Sequence, residues 1–165
     1  MFQKLRTDLV KKLAGIRLIL VNADGFMPDE PSGHWPEGLN GVQIKELMSK
    51  DVEFIAFSKS KSQSISSVAE QLGIVLHQGI SENSEFYSEV KFDYTVSDGE
   101  VAFICRDVAD IPVMKKVNFT AVTPDAALKV KAESYFTTYC SGSGAVSEVA
   151  ALILKAKKYP GGWSE

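Results

Sequence analysis

Residues 16–25 read IRLILVNADG, and this run decides the fold. Apart from Arg17 the stretch to Val21 is unbroken Ile, Leu and Val, with no alternation of apolar and polar positions. Such a run is the mark of a strand covered on both faces. It then halts on Asn22-Ala23-Asp24-Gly25, which also reads as a turn. Working outward, four more runs behave the same way: VEFIAFS at 52–58, IVLHQ at 74–78, VAFIC at 101–105 and FTAVT at 119–123, with YFTTY at 135–139 as a last short strand. Between them lie segments with helical spacing at 41–50, 64–73, 84–94, 110–117, 124–133 and 145–159, after a first helix over 2–14 that ends near Gly15. Gly73 closes the third of these helices, and Pro124 is read as the first residue of the helix at 124–133. Strands alternating with helices imply a parallel sheet sandwiched between two helical layers, a three-layer α/β/α arrangement. One domain over residues 1–165 accommodates all of it, with the first helix inside 1–15 and a frayed tail, PGGWSE, at 160–165.

Composition narrows the function. The chain carries a net charge of −3 with its lysines spread out, which argues against a nucleic-acid or anionic-membrane partner. No apolar run approaches the ~18 residues of a membrane span, and no signal-peptide core is present, so a cytoplasmic location is expected. Cys105 and Cys140 lie in no metal-type cluster and read as reduced, partly buried thiols; His34 and His77 stand far apart and read as structural or surface residues. In parallel α/β folds the ligand sits beyond the carboxyl ends of the strands. Chemistry is therefore to be sought at Asn22–Asp24, Ser58, Gln78–Asn83 and Cys105–Asp110.

Those strand ends carry a resemblance. Asn22-Ala23-Asp24-Gly25 resembles the Asp-x-Asp-Gly motif of haloacid dehalogenase-superfamily phosphatases. Ser58 stands where that family has Thr or Ser. SISSVAEQLGIVLHQG (64–79) resembles the passage leading to its Gln-Gly, and VAFICRDVADIPVMKKV (101–117) its V-A-Y-I-G-D-D-x-x-D-x-P-V-M stretch. TAVTPDAALKVKAE (120–133) and YFTTYCSGSGAVSEVAALIL (135–154) resemble its closing segments. The likeness runs in order from Ile16 to Leu154 and is specific to the Kdo 8-phosphate phosphatase branch. It implies a Rossmann-like sheet in which a first Asp attacks phosphorus and binds magnesium, a second (Asp24 here) is the general acid, and the serine position, Ser58, binds the phosphoryl group.

The departures fall on the chemistry. The nucleophile position is Asn22, a neutral amide that cannot follow the aspartyl-phosphate route. The metal-binding acid aligns with Arg106, the charge-balancing lysine with Asn83, and the Gly-Arg after Ser58 with Lys59-Ser60; Asp24, Ser58, Asp107 and Asp110 persist. A dication ~4 Å from the Arg106 guanidinium would meet roughly 8 kcal/mol of repulsion at an effective dielectric near 20. No metal is therefore expected at Asn22, Asp24, Arg106 and Asp107. Loss of a nucleophile costs on the order of 10⁴–10⁶ in rate. The expected function is a degenerate, non-hydrolytic domain that binds a small anion or a protein partner, with Arg106, Ser58, Lys59 and Asp24 as candidate ligand contacts. Arg106 is expected to pair with Asp24 or Asp107. The alternative is a magnesium-dependent phosphatase of the same family acting on a sugar phosphate through unusual residues. A receiver-like domain would need an Asp where Ser58 stands. Finally, family members carry a β-hairpin after the first motif, and it helps assemble their tetramer. Here MPDEPSGHWPEG (27–38) replaces it, so the cap is lost or reduced and a monomer or dimer is expected. Trp35 in this loop is read either as a packing residue or as an exposed anchor.

Overall fold

The computed structural model describes residues 7–24, 26 and 41–159. The elements alternate along the chain as α1 (Thr7–Ala14), β1 (Leu18–Asn22), α2 (Gly41–Met48), β2 (Glu53–Phe57), α3 (Gln63–Leu72), β3 (Val75–His77), α4 (Asn83–Tyr94), β4 (Val101–Cys105), α5 (Ile111–Met114), β5 (Phe119–Val122), α6 (Leu128–Ala132), β6 (Phe136–Thr137) and α7 (Ser143–Lys158). The strands form one sheet in the order β3-β2-β1-β4-β5-β6, with every pairing parallel. The expected loop at 25–38, with its lost hairpin, His34 and Trp35, lies outside the described residues apart from Phe26. So does the tail at 160–165.

The unbroken apolar runs are explained by the two cores. Alternate residues of the strands face opposite layers. Ile19, Val21, Phe54, Ala56, Ala102 and Ile104 pack with α1, α2, α3 and α7 through Leu13, Leu47, Leu72 and Val149. Leu18, Leu20, Ile55, Phe57, Phe103 and Cys105 pack with α4, α5 and α6 through Phe86, Tyr87, Val113 and Val130. A strand buried on both sides has no solvent face to show, hence no alternation in its sequence. This is the expected three-layer α/β/α sandwich.

Local signals act as expected at α3. The Ser62 hydroxyl accepts from the Ser64 N–H at its start, and Gly73 at φ 75° ends it. Side-chain caps of this type contribute ~1 kcal/mol. The helix expected from Pro124 is different. Ala126 N–H closes a turn on the Thr123 carbonyl, Ala127 is extended at ψ 150°, and α6 begins only at Leu128. The turn projects Asp125 from the end of β5, which matters below. Cys105 is buried and Cys140 exposed. His77 rests its ring on Phe86 at 5.1 Å. Among the described residues no helix is long and apolar enough to cross a membrane.

The sheet reverses direction of growth at β1, whose neighbours are β2 on one side and β4 on the other. Loops leaving β1 and β4 therefore part in opposite directions and open a crevice at their carboxyl ends. Asn22 and the 105–110 segment stand at its two lips.

Candidate functional site

Asn22 is the last residue of β1, 2% exposed, and its amide is fully engaged. Its Oδ1 accepts the Asp24 backbone N–H at 3.1 Å, closing the turn that its sequence also suggests. Its Nδ2 donates to both oxygens of Asp110, at 2.9 and 3.1 Å.

Asp110 is the hub of the site. It is completely buried. Besides Asn22, its Oδ1 accepts from Asn83 Nδ2 at 2.8 Å, and its Oδ2 accepts the backbone N–H groups of Asp107 at 3.1 Å and Arg106 at 3.4 Å. Burial pushes its carboxyl up from the ordinary value to about 6, against the pull of the Asp107 N–H and the Asn22 amide. Asn83 opens α4, is 6% exposed, and also donates to the Ala109 carbonyl at 3.3 Å; its Oδ1 has no partner among the described residues.

Asp24 and Ser58 make a second cluster. Ser58 ends β2 with no exposed surface. Its hydroxyl donates to Asp24 Oδ1 at 2.5 Å, and the Lys59 backbone N–H donates to Asp24 Oδ2 at 3.0 Å. The loop that follows is shaped by a ladder of serine turns. Ser60 N–H bonds to Ser58 Oγ at 2.9 Å, Ser62 N–H to Ser60 Oγ at 3.0 Å and Ser64 N–H to Ser62 Oγ at 3.2 Å. Gln78 ties this ladder to β3 by donating to the Ser62 carbonyl at 2.9 Å.

Arg106 departs in part from expectation. It lies 4.0 Å from Asp107, one of the two expected partners. Its direct contact is instead Asp125, whose Oδ2 accepts from Nη1 at 3.4 Å. Asp24, the other expected partner, is taken by Ser58 and Lys59. The physical reason is the turn at 123–126, which brings a carboxylate to Arg106 from the neighbouring strand end, while Asp24 finds two donors on its own side of the crevice. The Arg106 side chain is 38% exposed and that of Asp125 is 52% exposed, so the contact is wet.

The structure thus gathers Asn22, Asn83, Asp107 and Asp110 on the β4 side, joined through Asn22 to Asp24, Ser58 and Lys59 on the β2 side. Lys59 takes part through its backbone N–H. Asp125 and the serine ladder were not singled out in the sequence. The repeated Ser at 58, 60, 62 and 64 was the available signal for the ladder. Among the described residues no three His, Cys, Asp or Glu side chains are arranged to hold a metal ion.

Comparisons with known proteins agree with this architecture. No family model matches the chain. It is 30% identical over 160 residues to the 3-deoxy-D-manno-octulosonate 8-phosphate phosphatase KdsC of Yersinia pestis, covering 91% of this chain and 86% of that one. The crystal structure of the phosphatase of that name from Yersinia pestis superposes with a TM-score of 0.79 at 27% identity, over 92% of this chain and 87% of the other. The fold is shared with the Moraxella catarrhalis phosphatase, whose crystal structure is in complex with magnesium, phosphate and a KDO molecule (TM-score 0.83, 21% identity, 93% of this chain and 94% of that one).

Proposed function

The chain belongs to the 3-deoxy-D-manno-octulosonate 8-phosphate phosphatase family of the haloacid dehalogenase superfamily, and from that premise we propose that it is a non-hydrolytic member which binds an anionic ligand. The observation that carries this reading is the state of Asn22. An active family member needs a carboxylate there, with one oxygen free for phosphorus and one for magnesium. Here the side chain offers a neutral amide whose oxygen is held by Asp24 N–H and whose nitrogen is held by Asp110. The lone pair of an amide nitrogen is delocalised into the carbonyl, and the neutral amide oxygen is a poor nucleophile toward phosphorus.

The donor set does not suit the family's metal. Magnesium takes carboxylate and water oxygens in near-octahedral order. Asp110 spends both oxygens on four donor groups, Asp24 spends both on Ser58 and Lys59, and the guanidinium of Arg106 adds a fixed positive charge nearby. No catalytic step is routed through a metal in this reading. Arg106 and the Ser58–Lys59 donors supply the anion contacts. Assembly follows the same premise: a chain with the Pro- and Gly-containing sequence MPDEPSGHWPEG at 27–38 is proposed to be a monomer or dimer, not the family's hairpin-built tetramer.

A second reading has one observation in its favour. The relatives named above are phosphatases, and the likeness covers nearly the whole chain. On that reading this chain hydrolyses a sugar phosphate with Asp24 or Asp107 recruited. The test is phosphate release from Kdo 8-phosphate and p-nitrophenyl phosphate, with and without magnesium. The expected result is no release above the blank. Magnesium-dependent turnover that Asp24→Ala abolishes would overturn the non-hydrolytic reading in favour of the second.

A further inference from the structure

The Asp24 carboxylate sits where it receives one hydrogen bond on each oxygen, from Ser58 Oγ–H and from Lys59 N–H. We propose that Asp24 is a built-in occupant of an oxyanion position, a self-inhibitory contact that a phosphoryl group must displace before it can bind. The inference rests on the anion-binding reading above and deepens it by naming what guards the site.

The two donors are rigid and aimed. Ser58 is fixed through its own backbone, with its N–H on the His77 carbonyl at 2.9 Å and its carbonyl accepting from Ile80 N–H at 3.0 Å. Ser60 N–H occupies a lone pair of Ser58 Oγ. That leaves the hydroxyl hydrogen to point at Asp24. The next amide, Lys59 N–H, points the same way. Preorganised donors of this kind favour a charged oxygen acceptor over water. With Asp24 in place Ser58 has no exposed surface, so its hydroxyl finds its acceptor in Asp24 and not in bulk solvent.

The occupant is fixed at its base and free at its tip. Asn22 Oδ1 holds the Asp24 backbone N–H, so the main chain stays put. The side chain is only partly buried and can swing toward solvent about its own bonds. Arg106, the cation that would draw it away, is held by Asp125. An incoming phosphoryl group therefore meets both a filled position and a like charge. Removing the carboxylate removes both obstacles, and a gain of roughly tenfold or more in phosphate affinity follows from charge-assisted bonds of this type.

The experiment is titration with inorganic phosphate, followed by calorimetry and by the Lys59 amide signal in ¹⁵N spectra. Wild type, Asp24→Ala, the isosteric Asp24→Asn and the double variant Asp24→Ala/Ser58→Ala are compared. In the absence of phosphate, the Lys59 signal is expected downfield in wild type and shifted upfield in Asp24→Ala. Added phosphate is expected to return it downfield in that variant at concentrations that leave wild type unchanged. Asp24→Asn is expected to show an intermediate affinity, and the double variant to lose most of the gain. Should Asp24→Ala fail to fold, Asp24→Asn alone decides. Equal phosphate affinity in wild type and the charge-free variants, or a Lys59 signal indifferent to Asp24, overturns the proposal. Neither outcome depends on turnover, so a failure here is separate from a failure of the non-hydrolytic reading.

Discussion

Replacing Asn22 by aspartate exchanges a hydrogen-bond donor for a carboxylate oxygen 2.9–3.1 Å from the oxygens of Asp110. Like charges so close cannot both ionise without a large cost. With charge centres ~4 Å apart and an effective dielectric near 20, the repulsion is about 4 kcal/mol. Asp110 already titrates near 6 because it is buried. The variant pair therefore holds one shared proton at neutral pH and titrates as a coupled dyad. The folded variant binds this proton more tightly than the unfolded chain does, so its deficit against wild type is smallest in acid and grows as pH rises. Denaturant unfolding of both proteins at pH 5 and pH 8 measures it. The gap is expected to widen by roughly 2–4 kcal/mol between the two pH values. Adding Asn83→Lys puts an ammonium beside Asp110, on the side where Asn83 now donates at 2.8 Å, and is expected to narrow the gap again. Asn22→Ala controls for the lost bonds without adding charge. A gap between Asn22→Asp and wild type that is the same at both pH values would refute the amide–carboxylate hub.

Three more outcomes follow from the same geometry. Because burial raises the Asp110 carboxyl to about 6, the folded state binds its proton more tightly than the unfolded chain, so wild-type stability should fall by about 3 kcal/mol as pH climbs from ~4 to ~6, a slope that Asp110→Asn should lack in unfolding curves. Arg106→Met should cost less than ~1 kcal/mol in thermal unfolding, since its contact with Asp125 is solvent-exposed; a loss above ~3 kcal/mol would mean a buried plug instead. Calorimetry should show no tight magnesium binding by Asn22→Asp alone, and recovered binding by Asn22→Asp/Asn83→Lys/Arg106→Asp; tight binding by the single variant would show that Arg106 does not oppose the cation.

The fold was legible because burial on both faces of the sheet leaves a direct trace. LILV at 18–21, EFIAF at 53–57 and VAFIC at 101–105 have no polar alternation, and each became a central strand. The family resemblance then ordered them. The helix expected over 124–133 is absent from its first half because Pro124 fits a turn as well as it fits a helix start, and the Ala126–Thr123 bond and the extended Ala127 decide for the turn. The site was legible as a set of positions but only partly as a set of bonds. From sequence, Arg106 is expected to reach for Asp24 or Asp107. Two facts invisible in one dimension redirected it: Asp125 arrives from the adjacent strand end, and the hydrogen of Ser58 is turned toward Asp24 by the Ser60 N–H. Pairwise charge arguments from sequence rank partners by type, whereas the structure ranks them by which loop brings them within reach.

The two amides of the hub have to be understood together. In the family pattern these positions carry Asp and Lys, whose charges sum to zero; Asn22 and Asn83 also sum to zero. Both now donate to the same oxygen of Asp110, 2.9 and 2.8 Å away. Had the nucleophile alone become an amide, a lysine would have stayed against Asp110 as its ion-pair partner. Had the lysine alone become an amide, two buried carboxylates would have faced each other without a cation. The double exchange avoids both and leaves a single buried carboxylate supplied with donors from two side chains and two backbone amides. The sheet and the helices around these groups are held by apolar packing on both faces of the sheet, so the scaffold does not need charges at positions 22 and 83 to stand. The shape of this fold therefore does not depend on an Asp–Lys pair at positions 22 and 83. Restoring one of them alone should therefore destabilise the protein before it restores any reaction.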